Sequence, residues 1–127
     1  MTFKEFYISD SNGKSNCVVR SLCKILNKEY NDVYNDLFEI AEELNCSFND
    51  ILVFERYMEY NGIFKVDFDE DDIMVKDLKI DDGLYIVFCY DRKNFYHMIP
   101  IIDSVIYDKK SDCMNLYVIS IYKGIIN

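Results

Sequence analysis

The hydrophobic periodicity of this chain changes once, at Asn61-Gly62, and that change limits the fold more than any other feature. Before it, apolar residues recur every three to four positions; after it they come in short β-rich runs. A chain that lays down helices first and strands afterwards is expected to build an α+β domain. Ser15 and Asn16, both competent caps, precede Val18, Val19, Leu22, Ile25 and Leu26, so a first helix opens at Cys17. A second helix starts at Asn31 or Asp32 and aligns Val33, Leu37, Ile40, Ala41 and Leu44. In the third, Ser47 and Asp50 resemble a capping box ahead of Ile51, Leu52, Phe54, Tyr57 and Met58. Strands are expected at 63–68, 84–90, 95–102, 105–107 and 116–122. With 91–94 and 103–104 as hairpin loops, the middle three form an antiparallel meander. Pro100 removes a ladder donor and points to an edge position or a bulge.

The 127 residues, 50% of them hydrophobic, suit a single domain spanning 1–127 with a core that needs no staples. No apolar run approaches the roughly 18 residues that cross a bilayer, and the start of the chain lacks a signal-peptide pattern, so no membrane partner is expected. The five cysteines form no C-x-x-C pair and the chain has one histidine, which calls for neither a metal nor a cofactor and fits reduced thiols in a cytoplasm. Cys23 and Cys89 lie on apolar stretches and read as small buried hydrophobes. Phe95, Tyr96, Tyr85 and Tyr90 read as fillers of strand faces. Segment 67–82 carries eight acids against two lysines, most of the net charge of −9. Such a field repels phosphates, which argues against direct nucleic-acid binding, and suits either a solvated connection or contact with a basic protein partner. Asp67, Asp69 and Asp71 begin like a calcium loop, but Asp72 and Leu78 stand where that loop needs Gly and Glu.

The chemistry-bearing residues lie at opposite ends of the chain. A thiol in the first turn of a helix sits at the positive end of the macrodipole, and His97, the only imidazole, falls in an expected strand. Nucleophile and base for thiol-dependent acyl chemistry are therefore both present. A third group should hold the imidazole tautomer. If Asp103-Ser104 is a two-residue loop, Ile99 opposes Asp108, and alternation makes Asp108 the diagonal neighbour of His97 on one sheet face. Asp103, six residues along the strand from His97, is the turn former instead. Arg20, one turn beyond Cys17, either steadies a thiolate or pairs with an acid on the next helix.

The run Asn16-Cys17-Val18-Val19-Arg20-Ser21-Leu22 resembles the N-C-x-x-R-[AS]-L helix start of small papain-like, C39-like cysteine peptidases of bacteria and their phages. The run from His97 through Asp103-Ser104 to Asp108 is similar to their H-x-V-x-I-x-D-G-x-I-Y-D hairpin, with Ser104 where Gly is usual. The resemblance implies a papain-like α+β fold, N-terminal helices packed on an antiparallel sheet. It also implies Cys17 as nucleophile, His97 as general base and acid, Asp108 as orienter, and a protein or peptide substrate. Its oxyanion hole implies the Cys17 N–H plus an upstream side-chain amide. The chain has no Gln, which leaves Asn12 and Asn16 as candidates, Asn16 also being a helix cap. The expected activity is a thiol hydrolase working through a thioester. The alternatives are an inactive acidic interaction or inhibitor protein on the same fold, and a deamidase or transglutaminase-like enzyme.

Overall fold

The computed structural model describes residues 1–125. Three helices, α1 Cys17–Leu26, α2 Tyr30–Leu44 and α3 Ile51–Tyr60, precede all but one strand. Asn16 caps α1 by accepting the N–H groups of Val18 (2.8 Å) and Val19 (3.4 Å), and Asn27, in the left-handed region at φ 54°, ends it. Helix α2 begins one residue ahead of the expected start and closes on Asn45, also left-handed. The capping box expected ahead of α3 does not form. Asp50 is itself the cap, taking the Leu52 N–H at 2.9 Å, while Ser47 offers only its carbonyl to the Asp50 N–H.

The strands are β1 Thr2–Glu5, β2 Ile63–Val66, β3 Leu84–Tyr90, β4 Tyr96–Ile102, β5 Val105–Asp108 and β6 Tyr117–Gly124, in the order β1-β5-β4-β3-β6-β2. The β3-β4-β5 meander is the expected one. The sheet as a whole is mixed, which corrects the antiparallel expectation: β1 lies parallel to β5, Thr2 against Val105. Four residues at the very start of the chain, mostly exposed, carry too little alternation to read as a strand.

The hairpin between β4 and β5 is the two-residue type, with Ile102 opposite Val105 and both Asp103 (φ 49°) and Ser104 (φ 66°) left-handed. Asp103 also accepts the Gly83 N–H on its carboxylate at 3.0 Å, which ties the turn to the start of β3. Strand β4 is interior and its register against β3 runs unbroken through Ile86–Pro100, so Pro100 sits neither on an edge strand nor in a bulge of that pairing, the two places expected for it. The Asp103 N–H bonds to the Gly83 carbonyl at 2.9 Å, so by alternation the backbone groups of Pro100 and Met98 face the β5 side. There the ladder has already stopped, because β4 and β5 pair only through Ile101–Ile106 and Ile102–Val105. Proline stands where its missing N–H costs no bond.

The sheet is covered on both faces. On one, Ile86, Met98 and Tyr122 pack under the helices against Val19, Leu22, Leu37 and Met58. On the other, Val87, Ile99, Ile101 and Ile106 are closed over by Val75 and Leu78 of the acidic segment and by Cys113. Each such side chain, fully buried, contributes about 1.5–3 kcal/mol. The acidic segment is thus a strap along β6, bonded through Val75 N–H to Leu116 C=O (2.9 Å) and Val118 N–H to Ile73 C=O (2.8 Å). Among the described residues no helix is long and apolar enough to cross a membrane.

Candidate active site

The splaying of β4 from β5 opens the sheet, and the N-terminal turn of α1 fills the opening. Met98, unpaired on that side, accepts the Ser21 hydroxyl on its carbonyl at 2.9 Å, and its N–H faces the thiol of Cys17. A helix thereby takes over hydrogen bonds that a strand would have made, and this fixes where Cys17 sits. Of the four N–H groups that a helix start leaves without partners, three are claimed. Tyr30 Oη accepts from Asn16 at 2.9 Å, and Asn16 Oδ1 accepts from Val18 and Val19. The remaining one belongs to Cys17.

His97, in β4 at the cleft, is the neighbour that most strongly lowers the Cys17 thiol on one side. On the other, its Nε2 lies 2.6 Å from Asp108 Oδ2, which leaves Nδ1 to the thiol. The strand parity that selects Asp108 therefore holds, although the ladder does not extend to a His97–Lys110 pair; β5 has turned away by then. Asp108 Oδ1 accepts two further bonds, from the Lys109 N–H at 2.8 Å and from Arg20 Nη2 at 3.1 Å. Arg20 Nη1 donates in turn to Ser15 Oγ at 2.9 Å, and that hydroxyl donates to the Ile8 carbonyl at 2.6 Å. The expectation that Arg20 pairs with an acid on the next helix is corrected: its partner is the acid of β5, and both are buried.

Electrostatics follow from these contacts. Burial pushes the Cys17 thiol up, but the hydrogen bond and charge of His97, the Met98 N–H and the Arg20 cation outweigh it, and the thiol ends below its ordinary value. Burial alone would lower His97; the Asp108 and Cys17 hydrogen bonds and charges reverse this and push it up to about 9. Asp108, raised by burial, is pulled below the usual carboxylate range by His97, the Lys109 N–H and Arg20. The two shifts run in opposite directions, Cys17 down and His97 up, which narrows the gap that a proton crosses in passing from thiol to imidazole. The other buried thiols go the opposite way: burial raises Cys23 to about 11 and Cys113 to about 12, and Cys89 is raised also. No family model, curated protein or solved structure matches this chain.

The three residues open onto a cleft of about 470 Å³, bounded by Ser15, Phe95, Tyr96, Lys110 and Leu116. Phe95 and Tyr96 are half exposed rather than buried in a strand face, unlike Tyr85, and the Phe95 ring stacks on the His97 ring at 5.6 Å. Neither Asn12 nor Asn16 lines the cleft. Asn12 belongs to an exposed turn that Asp10 organises by accepting its N–H at 2.9 Å, and Asn16 is turned to the cap, where its Oδ1 accepts from Val18 and Val19. The residues that sequence reasoning missed are Ser15 and the Met98 N–H. Ser15 showed only as a competing cap, and the Met98 N–H becomes available because Pro100 ends a ladder, a signal visible in the sequence once β5 is placed.

Proposed function

We propose that the chain is a thiol-dependent hydrolase of papain-like architecture, acting on an amide bond of a protein or peptide through a thioester. The observation that carries this reading is the relay from Cys17 through His97 to Asp108, closed by the 2.6 Å contact and opening onto the cleft. The thiolate of Cys17 attacks the carbonyl carbon, and the new oxyanion accepts the Cys17 N–H, the one at the start of α1 that has no acceptor among the described residues. Imidazolium His97 gives its proton to the departing nitrogen as the C–N bond breaks, leaving a thioester and a free amine. Water then attacks the thioester carbonyl while His97 takes its proton, and the C–S bond breaks to return the thiolate. Asp108 holds the imidazole oriented throughout. The order Cys, His, Asp and the seating of a cysteine-bearing helix against the strands that carry the other two support the papain-like assignment.

The test is peptide-resolved mass spectrometry after treatment with an iodoacetamide or vinyl-sulfone probe at neutral pH. Cys17 is expected to carry the label, with Cys17→Ala abolishing it, and equal labelling of that variant would reject the nucleophile. Incubation with candidate proteins then separates the acceptors: cleavage indicates hydrolysis of a chain bond, and a gain of about one dalton per site indicates deamidation. A second reading, a non-enzymatic protein that docks a basic surface, draws on the strap, where Asp69, Glu70 and Asp77 rim a groove of about 630 Å³ over Ile73 and Ile80. It predicts binding that weakens with salt and survives Cys17→Ala.

A further inference from the structure

Arg20 is 4% exposed, yet its guanidinium faces the charged centre of the cleft rather than solvent. We infer that Arg20 is a positioning residue, one that sets His97 by holding Asp108 from behind. The inference rests on the thiol-dependent reading and adds a fourth member to its relay. Asp108 has two oxygens and only one productive orientation. Arg20 Nη2 and the Lys109 N–H occupy Oδ1, so Oδ2 is the oxygen presented to His97. The guanidinium is itself held by Ser15 Oγ, whose proton goes to the Ile8 carbonyl. Orientation thus runs from the loop before α1, through Ser15, Arg20 and Asp108, to the imidazole. Because Arg20 and Cys17 share one helix turn, the same element places nucleophile and acid.

A planar fork is required for this. Arg20 bridges a hydroxyl and a carboxylate with separate nitrogens, which the single ammonium of Lys does not reproduce. The charged and titratable groups around it are Cys17 on its own helix, Tyr30 from α2, His97 from β4 and Asp108 from β5, with Cys113 against Asp108. A cation that acted only through its charge would disfavour imidazolium, so removing it would raise His97. A cation that positions Asp108 does the reverse: without it the Asp108 hydrogen bond weakens and His97 falls. The two roles have opposite signs.

The test uses the fact that His97 is the only histidine, so imidazole ¹⁵N chemical shifts report it without assignment. The wild-type chain, Arg20→Lys, Arg20→Gln and Ser15→Ala are titrated by NMR, with far-UV circular dichroism as the check on folding. Positioning predicts a fall of at least about one pH unit in the His97 midpoint for both Arg20 variants. It predicts a smaller fall in Ser15→Ala, which keeps both charges. An unchanged midpoint in Arg20→Lys, or a rise in Arg20→Gln, overturns the inference. If the Arg20 variants do not fold, Ser15→Ala decides by the same sign, and no fall there overturns it. Alkylation of wild-type Cys17 at neutral pH, measured separately, tests the hydrolase reading. A thiol no faster than free cysteine rejects that reading, whatever the His97 titration shows.

Discussion

At residue scale the account rests on one thiol and one imidazole whose protonation states are set by their neighbours. Turnover is expected to rise with pH as the Cys17 thiolate forms, and to fall as His97 loses its proton near pH 9, because the leaving nitrogen then has no donor. A turnover profile that climbs steadily past pH 10 would contradict that assignment. Stability carries the same groups with opposite signs. His97 is raised above its unfolded value of about 6.5, so its contribution is full below that pH and is lost as pH rises toward 9. Cys17 and Asp108 are depressed, so theirs is present above their unfolded values and is lost as pH falls through the folded ones. In His97→Ala, burial is left to push the thiol up with little opposition. Labelling of Cys17 at pH 7 should then fall by at least about tenfold, measured by peptide mass spectrometry. Cys17, His97 and Asp108 were legible because each has chemistry that helix starts and strand faces place without knowledge of the whole fold. The partner of Arg20 was not, since it lies 88 residues away on a strand that local pattern cannot dock against α1.

At the scale of elements, the site depends on α1 taking the place of a strand beside β4. Ser21→Ala should therefore cost about 1–3 kcal/mol, because it leaves the buried Met98 carbonyl without a donor; urea denaturation measures it, and a change under 0.5 kcal/mol would show that the helix is held otherwise. The hairpin gives a prediction of opposite sign. Ser104 adopts φ 66°, where a side chain is strained, so Ser104→Gly should stabilise by about 0.5–1 kcal/mol in the same assay. All three helices and the meander were readable because their periodicities are long and their caps lie near the expected places. Asp50 displaces the expected box because a cap acts on the residues just after it, and Asp50 adjoins α3 while Ser47 lies three residues further back. Strand β1 was missed for a different reason: it is four residues long, and only β5, near the other end of the chain, makes it a strand.

At the scale of the molecule, six of the nine excess negative charges of the chain fall in the segment 67–82. They concentrate on the strap, which turns Val75 and Leu78 onto the second sheet face. Sequence alone suggests a solvated connection or a contact with a basic partner for this segment, because its charges conceal the apolar residues set between them. Leu78→Ala should cost about 2–3 kcal/mol while Asp69→Asn changes stability by less than about 0.5 kcal/mol. Equal effects in denaturant titrations would mean that the strap does not close a core. The chemistry proposed for the tip of α1 needs a charged thiol there, and a difference titration of ultraviolet thiolate absorbance between the wild type and Cys17→Ala decides whether one forms. One thiolate is expected in the wild type at neutral pH, well below the range of ordinary thiols, and is expected to be missing from the variant. Superimposable curves up to the pH at which ordinary thiols ionise would contradict it.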